Sequence, residues 1–182
     1  MELTARRRKG VSFVNEEELY ARAPKHIRAY RGWPVELVYG GELYTTWLKP
    51  DRFPSLRFND RPRGSDRRYF AIEYETGSNE TKRSTLSGTS LLRKYLSYAA
   101  TFEQEILKKQ IGIPYFYSLF VGVSEAHRDE MRKYAVVVLK GSPAARAFRF
   151  AVEPEKPTPE KSADVFGAIW HDIKGKEVEL PL

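Results

Sequence analysis

Asp51, Glu73, Glu75, Lys94 and Tyr98 are the residues whose types and spacing could do chemistry. Glu73 and Glu75 alternate within Phe70-Ala71-Ile72-Glu73-Tyr74-Glu75, a run that otherwise reads as an apolar strand. Side chains two apart on a strand point to one face. Like charges there repel unless a cation sits between them. Asp51, after Pro50, stands just before the preceding strand, where a short turn brings it alongside Glu73. Three oxygen donors without His or Cys select a hard cation, Mg2+ or Mn2+, over zinc. Such an ion makes a bound water a better nucleophile and neutralises charge building on a phosphate. The expected roles follow. Asp51 and Glu73 hold the ion, and Glu75 helps through a second ion or a water. Lys94 orients the attacking water or steadies the phosphorus centre as a point charge. Tyr98, one helical turn on, binds a phosphate oxygen. Each piece also has a plain structural reading: a Pro-Asp turn, strand glutamates paired with a neighbouring arginine, and a lysine snorkelling beside an apolar stripe.

These residues need a sheet and a helix to hold them. Phe53–Phe58 and Arg68–Tyr74 read as an antiparallel pair joined by the polar loop Asn59–Arg67. The loop's Arg61, Arg63, Arg67 and Arg68 either keep it soluble or lie along a nucleic-acid backbone. Gly77–Ser90 is small and polar, hence a loop. Ser90 then caps a helix expected to run to about Lys109, with Leu91, Leu92, Tyr95, Ala99, Phe102 and Ile106 along one face. Tyr115–Val123 is apolar nearly throughout, as in a strand covered on both faces. Ser124 caps a second helix through about Leu139, and Ala147–Val152 makes a last strand.

Upstream, Asn15 before Glu16-Glu17-Glu18 marks the N-cap of a short helix that ends near Pro24. Lys25–Leu48 is turn-rich, with a hairpin around Gly40-Gly41. The expected division is a basic arm, short helix and connector at 1–42, an α/β core at 43–153, and a linker with a docking tail at 154–182. An antiparallel front half followed by strand–helix–strand crossovers makes a mixed sheet flanked by helices.

Composition narrows the partners. In 182 residues, Lys and Arg outnumber Asp and Glu by 31 to 24, a net charge of +7 that favours polyanions, chiefly nucleic acid. Arg6-Arg7-Arg8-Lys9 is either a solvated terminus or an arm on phosphates. Cysteine is absent, which excludes disulfides, thiolate zinc sites and cysteine nucleophiles and fits a cytoplasmic protein. No apolar run reaches membrane-spanning length, and the basic N-terminus lacks a signal-peptide core. His26, His127 and His171 lack metal-ligand spacing, and no phosphate-binding glycine loop or nucleophile elbow is present.

The order of Lys49-Pro50-Asp51, Ile72-Glu73-Tyr74-Glu75-Thr76-Gly77 and Leu92-Arg93-Lys94-Tyr95-Leu96-Ser97-Tyr98 resembles the PD-(D/E)xK nuclease superfamily. More narrowly it resembles the replication-relaxation family of plasmid and mobile-element proteins, over roughly residues 43 to 139. Tyr115–Val123 followed by Arg128 fits the same likeness. The resemblance implies a restriction-endonuclease-like α/β fold and Mg2+-dependent cutting of DNA in replication or transfer. Glu75 stands where the superfamily's lysine usually does, and Lys94 is implied as its replacement on the helix. Members commonly carry a winged-helix part ahead of the nuclease-like part, and residues 1–42 are short for one. The implied arrangement is a free-standing nuclease domain, or one whose DNA recognition belongs to a separate partner protein; a homodimer would suit double-strand cutting. The competing expectation is a non-catalytic DNA- or protein-binding module on the same fold.

Overall fold

The structure, a computed structural model, describes residues 9–76, 86, 90–153 and 168–180. Its organising strand is β5 (Arg67–Glu75), numbered in chain order, whose stretch Phe70–Glu73 is buried on both faces. Before it come β1 (Val11–Val14), α1 (Glu16–Tyr20), α2 (Lys25–Tyr30), β2 (Trp33–Tyr39), β3 (Glu42–Leu48) and β4 (Ser55–Phe58). After it come α3 (Leu91–Glu103), α4 (Ile106–Ile111), β6 (Tyr117–Gly122) and α5 (Glu125–Val138). A 3-10 turn (Pro143–Ala147) leads into β7 (Phe148–Val152), followed by the short β8 (Trp170–His171) and β9 (Glu177–Val178).

The chain is mixed α/β. A seven-stranded sheet runs in the order β1-β4-β5-β6-β7-β8-β9, and β2 and β3 form a separate two-stranded sheet. β4 is antiparallel to β5, whereas β6 and β7 continue parallel to it, with Glu73 opposite Phe120 and Glu75 opposite Gly122. Parallel neighbours need crossovers, and α3 and α5 lie within them. Both helices start as their caps require. The Ser90 hydroxyl accepts from Arg93 N–H and the Ser124 hydroxyl from His127 N–H, satisfying donors that a helix start leaves open.

Period-two alternation divides β5 between two cores. Ala71 faces one with Tyr95, Tyr98, Phe120, Met131 and Phe148, whereas Phe70 and Ile72 face another with Leu119, Val121 and Trp170. The hairpin is pinned to α3 by Trp33, whose indole N–H donates to Thr101 Oγ1 at 2.9 Å. At its entrance, a Cβ on Gly32 would lie 2.5 Å from the Leu48 carbonyl oxygen, so only glycine fits.

Three elements differ from the sequence expectation. Val11–Val14 is a strand, pairing with β4 where no strand was expected. Lys25–Tyr30 is a helix inside a segment expected to be turns, held by the wholly buried Ile27. The helix expected from Ser90 to Lys109 breaks after Glu103, because Glu105 adopts φ 53° and redirects the chain so that Ile106 and Leu107 re-enter the core. The basic run at 6–8, most of the 77–90 loop and the linker at 154–161 lie outside the described residues. No helix among the described residues is long and apolar enough to cross a membrane.

Candidate active site

Glu73 and Glu75 lie near the C-terminal end of β5, on its α3-facing side. α3 presents Lys94 and Tyr98 to them, four residues apart and therefore stacked on one helix face. Lys94 Nζ sits between the two carboxylates, 2.7 Å from Glu73 Oε2 and 2.5 Å from Glu75 Oε1. Tyr98 donates its hydroxyl to Glu73 Oε1 at 2.6 Å. The cation that same-face glutamates require is thus, within the chain itself, the lysine.

Burial gives this cluster its electrostatics. Glu73 is 1% exposed. Removal from water raises its carboxyl to about 7, even though the Lys94 ammonium and the Tyr98 hydroxyl both favour the charged form. Burial works against the charge on Lys94, but attraction and hydrogen bonding from Glu73 and Glu75 more than offset it and leave the ammonium above its ordinary value. Tyr98 is pushed well above the usual tyrosine range by burial and then by Glu73, so it remains a donor. A half-ionised buried carboxyl beside a fixed ammonium is the setting in which acid–base groups are tuned toward neutral pH.

Asp51 stands at the exposed rim. Its chain neighbour Arg52 pairs across to Ile72 through two backbone hydrogen bonds, and Asp51 Oδ2 accepts from Tyr74 N–H at 2.8 Å. This places Asp51 close enough to Glu73 that its charge helps raise the Glu73 carboxyl. The structure thus brings Glu73, Glu75, Lys94 and Tyr98 into direct contact, with Asp51 flanking them. Among the described residues, no three Asp, Glu, His or Cys side chains group closely enough to hold a metal by themselves.

The loop arginines lie elsewhere. Arg67 begins β5, about 20 Å from Glu73 at roughly 3.3 Å per residue. Arg63, Arg67 and Arg68 line a groove at that far end, and Arg61 lies 4.0 Å over the Phe58 ring. Two supporting contacts have no signature in the sequence. Glu16 Oε1 accepts from Phe53 N–H at 2.7 Å and anchors the chain just past Asp51. Arg52 makes the backbone bridge described above. Each contact is made with a partner distant in the chain, so neither is announced locally.

Compared with known proteins, the chain matches no protein-family model, no curated protein and no solved structure.

Proposed function

We propose that the chain is a divalent-metal-dependent DNA endonuclease whose site is Asp51, Glu73, Glu75, Lys94 and Tyr98. The observation that carries the reading is the buried Glu73–Lys94–Glu75 cluster with an aspartate at its open rim. An acid before one strand and an acid late on the next also follow the PD-(D/E)xK resemblance, with Glu75 where its lysine usually stands and Lys94 on the helix as the implied replacement. A restriction-endonuclease-like fold is therefore part of the proposal. So are a cytoplasmic setting, a plasmid or mobile-element role in replication or transfer, a separate DNA-recognition partner, and a homodimer for double-strand cutting.

The donors fit a hard ion held by two carboxylates. Asp51 keeps Oδ1 without a hydrogen-bond donor among the described residues. Glu73 lies close enough to feel its charge, its two oxygens engaged by Tyr98 and Lys94 and each keeping a second lone pair. Mg2+ commonly takes one or two carboxylates, with waters and substrate phosphate completing the shell. When bound, Mg2+ or Mn2+ would supply an activated water and neutralise charge on the phosphate. The chain's own residues do the rest. Glu75 fixes Lys94, Lys94 supplies a localised positive charge, and Tyr98 holds Glu73 in one rotamer and excludes water from behind it.

One observation favours a second reading. Lys94 already contacts both glutamates, so the cluster also makes sense as an ion-paired structural triad in a non-catalytic binding module. The test is incubation with supercoiled, single-stranded and branched DNA in Mg2+ or Mn2+. The endonuclease reading predicts strand cleavage that Asp51→Ala removes while DNA retention persists. Retention without cleavage of any form would establish the binding module.

A further inference from the structure

Among the described residues, the loop arginines Arg63, Arg67 and Arg68 belong to an arginine-rich groove that the carboxylate site does not use. An open groove of about 780 Å³ lies between the loop before β5, the end of α1 and the α4–β6 connection. Its walls carry Arg22, Arg57, Arg63, Arg67 and Arg68, opposed by only two carboxylates, Glu18 and Asp66. Asp66 is occupied, accepting from Gly64 N–H at 3.0 Å and pairing with Arg57 at 3.3 Å. Arg22 and Arg63 are exposed and have no ion-pair partner among the described residues. Arg68 is fixed in place, its Nη1 donating to the Ser65 and Arg67 carbonyls. The groove therefore holds a surplus of guanidinium groups, which pair with phosphate oxygens in a bidentate way.

Aromatic rings accompany the charge. Tyr69, Tyr115 and Tyr117 line the same groove and are half-buried, so part of each ring is accessible. Tyr115 and Tyr117 meet edge to face at 5.1 Å, and Phe102 backs Tyr115 at 5.5 Å. Tyr117 is further covered by the Phe70 ring at 6.1 Å and the Arg149 guanidinium at 5.3 Å, so both rings are held in place and Tyr115 is the one left to meet a base. Arginines interleaved with pre-positioned rings match the requirements of a single nucleic-acid strand: phosphates for the cations and unstacked base faces for the rings. A duplex satisfies only the first requirement, because its bases already stack on one another. An acidic peptide leaves the rings unused.

We propose that this groove is a second nucleic-acid site, distinct from the carboxylate cluster at the other end of β5, and that it takes a single strand. The proposal needs no cleavage. It is read with the intact chain in EDTA on Glu73→Gln, so a failure of the endonuclease reading leaves it standing and the converse also holds.

The probes are a fluorescent dT12, an abasic 12-mer of the same length, a 12-base-pair duplex and an oligoglutamate peptide, followed by anisotropy across a salt series. The expected order is dT12 tightest, with the abasic strand about tenfold weaker, since stacking on one ring contributes on that scale. Replacing Arg22 and Arg63 together with serine, two exposed positions, should lower the salt slope for dT12 by about 1.4, at roughly 0.7 per phosphate contact for single strands. Tyr115→Leu should weaken dT12 and leave the abasic strand unchanged. The proposal is overturned if the double arginine variant keeps the original slope, or if the abasic strand, the duplex or the peptide binds as tightly as dT12.

Discussion

Glu73→Gln isolates what a buried, half-ionised carboxyl does to this fold. The folded-state carboxyl titrates near 7 against an ordinary 4.5, because burial outweighs the help from Lys94 and Tyr98. At about 1.36 kcal/mol per unit, that difference corresponds to about 3 kcal/mol. A raised carboxyl binds its proton more tightly in the folded state than in the unfolded state. Its contribution to stability is therefore complete below pH 4.5, falls as pH rises, and is gone above pH 7. Glutamine keeps the shape, can still accept from Lys94, and does not titrate. The stability gap between variant and unaltered protein should accordingly shift in the variant's favour by about 3 kcal/mol between pH 4.5 and 8. Urea unfolding followed by tryptophan fluorescence suits the measurement, since Trp33 and Trp170 are both buried. With a slope of about 2 kcal/mol per molar urea, the midpoint difference should change by about 1.5 M over that range. Parallel pH profiles for the two proteins would refute the reasoning and mean that Lys94 keeps Glu73 fully ionised throughout.

Three further changes probe the same framework by chemical unfolding. Lys94→Met leaves two buried carboxylates without their cation and should cost about 3–5 kcal/mol at pH 8, and less at pH 5, where Glu73 can take up a proton. An equal loss at both values would separate Lys94 from the titration of Glu73. Tyr98→Phe removes only the donor to Glu73 Oε1 and should cost about 1.5–3 kcal/mol, the usual scale for a hydrogen bond to a charged group. Gly32→Ala places a methyl against the Leu48 carbonyl at the base of the hairpin and should cost about 1–3 kcal/mol; no loss would mean that the backbone yields there.

The candidate site was legible where its signals are local. Glu73 and Glu75 share a face because strand periodicity puts them there, and Lys94 and Tyr98 share one because they are four apart behind a Ser90 cap. The placement of Asp51 beside that strand followed from strand order, although the hydrogen bond from Tyr74 N–H that fixes it has no local signature. Non-local features escaped. Val11–Val14 is four residues long, and it is a strand only because β4, more than forty residues on, pairs with it. Lys25–Tyr30 is too short to be helical by propensity and depends on burial of Ile27. The break at Glu105 puts a non-glycine residue in the left-handed region, which no sequence signal announces. The arginine–tyrosine groove draws Arg22, Tyr69 and Tyr115 from three separate segments, so only the loop arginines could be noticed beforehand.

The central claim is that the Asp51–Glu73 end of this cluster binds a divalent ion and is more than a folding triad. The direct measurement is a thermal melt with and without about 10 mM Mn2+, on the unaltered protein and on Asp51→Ala. An ion at ten times its dissociation constant contributes about 1.4 kcal/mol, or roughly 3–6 °C for a chain of this size. An ion held at Asp51 gives that shift in the unaltered protein and none in Asp51→Ala. An equal shift in both proteins, or none in either, would contradict it.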